Sequence, residues 1–98
     1  MTDILTDKIG ILKSEFDELS RNYNVARIGF FGSVTRDDFK KGSDIDVLVE
    51  FSEPIGFFKY LQLERHLKVL LKAEVDLVTL AALKPAIRES VFNDAVYV

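Results

Sequence analysis

The sequence predicts an α/β fold of the α+β type, in which helices pack against a small three-stranded mixed sheet. Two long segments carry apolar residues at alternating steps of four and three, which is the spacing of one helical face. Three short runs rich in Val, Ile and Phe lie between them and have the composition of buried strands. The 98 residues suffice for one domain, so we expect a single unit over residues 1–98.

The first half of the chain is predicted to contain a helix, a strand and a short helical segment. Residues 3–23 form the helix, because apolar side chains from Leu5 to Tyr23 share one face. The run from Val25 to Phe31 is short and apolar, which is typical of a buried strand. Residues 34–39 are predicted to add one or two helical turns before a polar loop.

The second half is predicted to alternate in the same way, which gives the order helix, strand, short helix, strand, helix, strand, helix. Residues 44–51 form a strand rich in Ile and Val, residues 56–72 an amphipathic helix, and residues 74–79 a third strand. A final helix starts near Lys84 with a proline in its first turn, where proline is well tolerated. The residues expected to point inward from it are Ile87, Val91 and Ala95.

Composition excludes several classes of protein. The net charge of −3 and the pI near 5.1 argue against general nucleic-acid binding, which needs a basic surface to neutralise phosphates. The absence of cysteine excludes disulfides and thiolate metal sites, and it fits a cytoplasmic protein. We expect no signal peptide and no membrane span, because no apolar stretch approaches 18 residues.

A pair of carboxylates at the start of the second predicted strand points to metal chemistry. Side chains alternate across a strand, so Asp44 and Asp46 face the same side and repel each other. A divalent cation removes this repulsion, and Mg²⁺ prefers carboxylate and phosphate oxygens. Asp76, on a separate strand, is positioned to complete a cluster that holds two metal ions about 4 Å apart for in-line phosphoryl displacement.

Gly32 and Ser33 follow the first predicted strand directly and are candidates for phosphate binding. Glycine lets the backbone approach a phosphate closely, and the following amides and the serine hydroxyl are donors. Arg36 lies one turn further and offers a guanidinium that matches phosphate geometry. Ser33 is also a good helix N-cap, and that role uses the same geometry.

These motifs together resemble the nucleotidyltransferases of the polymerase-beta superfamily. The resemblance is carried by Gly32-Ser33-Val34-Thr35-Arg36 followed by Gly42-Ser43-Asp44-Ile45-Asp46, and it is closest to the minimal (MNT-type) branch. It implies a nucleotidyltransferase fold in which Gly32 and Ser33 bind the triphosphate and Asp44, Asp46 and Asp76 ligate Mg²⁺. It also implies an antitoxin that moves AMP from ATP onto a tyrosine of a partner HEPN-domain ribonuclease toxin.

One departure from the family pattern keeps alternatives open. The family often has a small residue and glycine around the arginine, whereas this chain has Asp37 and Asp38 after Arg36. Two acids near a phosphate site are unhelpful unless they face solvent or basic residues of a partner. A non-catalytic module that neutralises its partner by contact is therefore the main rival, and a transferase of small molecules is a third possibility. Glu74 shares the strand face of Asp76 and competes for its role.

Overall fold

A computed structural model of the chain describes residues 3–36, 39–40 and 42–98. Asp37 and Asp38, on which the predicted departure rests, lie outside the described residues. The predicted α+β architecture is confirmed. In chain order the elements are helix α1 (Asp3–Tyr23), strand β1 (Val25–Phe31), a 3-10 helix (Gly32–Thr35), strand β2 (Ile45–Phe51), helix α2 (Phe57–Leu71), strand β3 (Val75–Thr79), a 3-10 helix (Leu80–Ala82), helix α3 (Pro85–Asp94) and strand β4 (Val96–Tyr97).

The four strands form one mixed sheet in the order β3-β2-β1-β4. Strand β1 runs antiparallel to both β2 and β4, whereas β2 and β3 are parallel. A parallel pair needs a crossover connection, and α2 supplies it. The end of β1 and the starts of β2 and β3 therefore meet at one edge of the sheet, which we call the site edge.

One face of the sheet packs against α1 and α2 and contains the main core. The apolar stripe predicted for α1 is confirmed, because its buried residues Leu5, Leu12 and Leu19 recur every seven positions. The strands contribute alternate residues to this core, and α2 covers them with further leucines. The fully buried residues of α2 are Leu63, Leu67 and Leu71. Each leucine buried in this way contributes about 1.5–3 kcal/mol relative to exposure.

The opposite face of the sheet carries α3, and we call it the α3 face. No residue of α3 is buried, and Ile87 is 47% exposed, so the prediction that Ile87 points into the core is wrong. The helix is anchored by polar contacts instead. Arg88 donates hydrogen bonds to the carbonyl oxygens of Leu80, Ala81 and Leu83. Near its other end, the Arg27 guanidinium contacts the rings of Phe92 and Tyr97 at 5.4 and 4.1 Å from their centroids.

The sheet has four strands rather than the three that the sequence predicted. Val96 and Tyr97 pair with Phe30 and Gly29, and the Val98 amide donates to the Ile28 carbonyl. The close approach depends on glycine, because a Cβ on Gly29 would lie 2.7 Å from the Val96 carbonyl oxygen. The apolar end of the chain thus packs on its own sheet. No helix in the described ranges is long and apolar enough to cross a membrane.

Candidate active site

Two of the three predicted carboxylates lie side by side on neighbouring strands. Asp46 of β2 pairs in parallel register with Asp76 of β3, and on its other side it pairs with Phe31 of β1. These residues alternate with the core positions Val47 and Leu77, so their side chains lie on the α3 face. The backbone ladder therefore fixes the spacing between the two aspartates.

Asp44 joins this pair from the residue before β2. It lies two positions from Asp46, and the adjacent Ile45 amide donates to the Glu74 carbonyl at 2.9 Å, which ties the start of β2 to the start of β3. Asp44 and Asp76 are exposed, whereas Asp46 is half-buried. The structure thus places all three acids that the sequence singled out at the site edge.

The surroundings of Asp46 disfavour the charged form of its carboxyl group. Burial raises the pKa of Asp46 above its ordinary value, and the negative charges of Asp76 and then Asp44 raise it further. Arg36 acts in the opposite direction. A cation bound beside this half-buried carboxylate would offset the repulsion from its two acidic neighbours, and a metal ion is such a cation.

The three carboxylates supply the hard oxygen ligands that suit Mg²⁺. Among the residues that the structure describes, no three acidic or His side chains are gathered closely enough to coordinate one ion as they stand. Exposed carboxylates such as Asp44 and Asp76 change rotamer on the nanosecond timescale, so this open arrangement does not oppose an incoming cation. The residues present fit a divalent cation in ligand type and charge.

Gly32 lies directly against this carboxylate cluster. Its φ of +72° is in the left-handed region, and a Cβ at this position would collide with Asp46 Oδ2. Glycine is therefore required twice, by the turn that ends β1 and by the approach of its backbone to Asp46. The Thr35 hydroxyl closes the turn by donating to the Gly32 carbonyl at 2.7 Å.

Ser33 and Arg36 occupy this turn as predicted, but Ser33 is not a helix cap. The 3-10 helix has Phe31 at its N-cap position and no side-chain capping hydrogen bond, because the helix begins one residue before the serine. Ser33 is instead its second residue, and its carbonyl accepts from the Arg36 amide at 3.0 Å. Arg36 is exposed and lies close enough to Asp46 to lower the pKa of that carboxyl.

Two other acids, Glu74 and Glu50, have structural partners outside the cluster. Glu74, the competitor of Asp76, forms an ion pair with Lys68 at 3.1 Å. Glu50 lies 3.4 Å from the Arg27 Nε, a distance that makes an ion pair but not a well-formed hydrogen bond. Asp76 therefore remains the third acid beside Asp46.

A histidine and a tyrosine of helix α2 also have structural contacts. The His66 ring stacks on a helix α1 aromatic, Tyr23, with centroids 6.0 Å apart. The Tyr60 hydroxyl donates to the Leu77 carbonyl at 2.5 Å, and burial, together with Glu64 and Asp76, raises the pKa of this phenol. Both side chains are half-buried at the rim of the core.

A cavity of about 310 Å³ adjoins the Gly32 turn and includes residues that the sequence did not single out. The end of β1 and its turn form one wall, and Ser90, Val91 and Asp94 of α3 form the other. The sequence assigned this part of α3 to the core through Val91 alone. Ser90 and Asp94 lie four positions apart on one side of α3, and this polar pair beside Val91 was the signal that this side borders a cavity.

Comparison with known proteins identifies the family. The model of the nucleotidyltransferase domain family matches residues 11–98. The chain belongs to this family. This nucleotidyltransferase is 41% identical over 88 residues to the protein adenylyltransferase MntA of Thermococcus cleftensis, and the match covers 90% of the chain and 89% of the relative. The predicted membership of the minimal branch is confirmed.

Solved structures of similar fold support this assignment. A structure named provisionally as a minimal nucleotidyltransferase matches this nucleotidyltransferase with a TM-score of 0.78 at 30% identity, over 97% of the chain and 95% of that structure. A complex of the tri-AMPylated Shewanella oneidensis HEPN toxin with an MNT antitoxin contains a chain that matches with a TM-score of 0.64. The identity is 21%, and the match covers 92% of the chain and 70% of the other chain, so this similarity shows the fold alone.

Proposed function

We propose that this nucleotidyltransferase moves AMP from ATP to a tyrosine of a HEPN-domain ribonuclease toxin, with Mg²⁺, and so acts as its antitoxin. The observation that carries the proposal is the parallel register of Asp46 and Asp76, with Gly32 pressed against Asp46. A metal-binding pair and a phosphate-binding turn at one point are what nucleotidyl transfer requires.

Each residue of the site has a role in this proposal. Asp44, Asp46 and Asp76 would hold two Mg²⁺ ions, which would supply charge neutralisation for the triphosphate and the acceptor oxygen. Gly32 and Ser33 would bind the β- and γ-phosphates through backbone amides and the serine hydroxyl. Because the 3-10 helix has only four residues, these individual donors matter more than any helix dipole.

The proposed reaction breaks a phosphoanhydride bond of ATP and forms a phosphoester bond to tyrosine. The tyrosine oxygen bonds to the α-phosphorus of ATP, the bond from that phosphorus to the bridging oxygen breaks, and pyrophosphate leaves. The phenolic proton departs to a base, for which Asp76 is suited because it is exposed and outermost in the row of carboxylates. Phosphoryl transfer depends mainly on positioning and charge, so a small rigid sheet is a sufficient scaffold.

The names of two relatives support a protein acceptor. The described residues of this chain form one α+β unit. The Thermococcus relative is named a protein adenylyltransferase, and the Shewanella complex pairs an MNT antitoxin with an AMPylated HEPN toxin. Both names favour a protein acceptor, and the tyrosine is part of our proposal.

The test is to co-express the protein with the product of the adjacent reading frame and to measure the intact mass of both chains. The partner should gain AMP masses when the wild type is present and none with Asp46→Asn. Glu50→Gln is the matched control, because it removes a carboxylate from the same strand and face but outside the cluster. A complex in which the partner mass is unchanged would favour the non-catalytic module.

A further inference from the structure

We propose that the cavity between the end of β1 and α3 binds the nucleoside part of the nucleotide, with Ser90 and Asp94 contacting the ribose. The inference rests on the proposed function, because it assumes that the triphosphate lies on the Gly32 turn. The cavity has a volume of about 310 Å³, within the range of small-molecule sites.

The cavity is continuous with the site through two residues. Gly32 and Arg36 line it, and both also adjoin Asp46, one by close backbone approach and the other by its charge. A nucleotide whose phosphates lie on Gly32 therefore has its nucleoside within reach of this cavity. The opposite wall is α3, which the contacts of Arg88 and Arg27 hold in place over the sheet.

Gly32 and Arg36 border the proposed phosphate site, whereas Phe31 and the α3 side of the cavity suit a nucleoside. Phe31 and Val91 provide apolar walls, which suit a base or a sugar ring. The Asp94 carboxylate repels phosphate but accepts hydrogen bonds from hydroxyl groups, as acidic residues do from ribose in dinucleotide-binding folds. The Ser90 hydroxyl, four residues earlier on the same side of α3, can donate or accept.

The geometry of transfer excludes the acceptor tyrosine from this cavity. In-line displacement places the entering and leaving oxygens on opposite sides of the phosphorus. Pyrophosphate leaves on the Gly32 side, so the acceptor enters from the side of Asp76, two strands away from β1. The nucleoside is then the remaining part of the reactants that this cavity can take.

The test compares binding of Mg–ATP, Mg–2′-deoxyATP and Mg–tripolyphosphate by titration calorimetry, with no acceptor present. Ser90→Phe fills the cavity and should weaken ATP binding by about tenfold or more, while tripolyphosphate binding changes less than about twofold. Asn93→Phe is the matched control, because Asn93 is exposed on the same helix and does not line the cavity. It should leave both affinities unchanged.

Asp94 is tested by the ribose hydroxyl that it would contact. The wild type should prefer ATP to 2′-deoxyATP by about fivefold, and Asp94→Asn should remove most of that preference. Glu89→Gln removes the same charge from α3 outside this cavity and should keep the preference. Equal loss of ATP and tripolyphosphate in Ser90→Phe, or no loss of either, would overturn the inference. If the wild type binds ATP through this cavity but the partner gains no AMP mass in the co-expression test, the inference is supported and the proposed transfer is refuted.

Discussion

Replacing Gly32 by alanine should destabilise the turn and also displace the Asp46 carboxylate. Gly32 has φ +72°, where an alanine costs about 1–2 kcal/mol. Its Cβ would also collide with Asp46 Oδ2, and moving that carboxylate off its rotamer adds about 1 kcal/mol. We expect the free energy of unfolding to fall by about 2–3 kcal/mol, which lowers the Tm of a domain of this size by about 10–20 °C.

Gly42→Ala is the matched control for this substitution. Gly42 has φ +93°, so alanine meets a similar backbone penalty, but among the described residues beyond its chain neighbours no atom lies within 4 Å of the added Cβ. Both variants should lose stability, and only Gly32→Ala should also lose the increase in Tm that Mg–ATP gives the wild type. Thermal melts with and without Mg–ATP measure both effects. A Gly32→Ala protein that keeps the full increase would refute the placement of the triphosphate against Asp46.

Three further variants test other parts of the molecule. Asp46→Asn should abolish transfer and raise the free energy of unfolding of the metal-free protein at neutral pH. The folded-state pKa of Asp46 is raised, so the wild type loses stability as the pH rises through that pKa, and the variant does not. Urea titrations should therefore show that the stability advantage of Asp46→Asn disappears at acidic pH. Ser33→Ala should weaken tripolyphosphate binding in calorimetry yet change the free energy of unfolding by less than about 0.5 kcal/mol, because Ser33 is not a cap; a loss near 1 kcal/mol would contradict this. Arg88→Met should cost about 1–2 kcal/mol and increase hydrogen exchange in α3, because three carbonyl contacts are lost; unchanged exchange would mean that α3 is held by other contacts.

The sequence predicted the long elements well because their patterns are periodic. The α1 stripe and the strands β1 to β3 came out within one residue of their observed bounds. Asp44, just before β2, and Asp46 within it were also predictable as neighbours, since they lie two positions apart and strand alternation places such residues on one face. The direct pairing of Asp46 with Asp76 was not, because strand order and parallel register depend on how α2 crosses the sheet.

The errors arose where local pattern has little information. Strand β4 has two residues, too few to show alternation, and its pairing depends on the missing side chain of Gly29 across the sheet. Ile87 was assigned inward from helical spacing, but α3 covers its face of the sheet only partly. The capping role of Ser33 failed because the 3-10 helix spans Gly32–Thr35 and begins two residues before the predicted segment 34–39.

The parallel pairing of Asp46 with Asp76 also bears on how variants of this protein should behave in a cell. Neighbouring strands lie about 4.8 Å apart because of their peptide hydrogen bonds, whatever side chains fill the core. A loosened core, as in Leu63→Ala, therefore leaves the distance between the two acids nearly unchanged in every molecule that is folded. Such variants should reduce the cellular amount of the protein through turnover of its unfolded form, while each surviving copy remains fully competent.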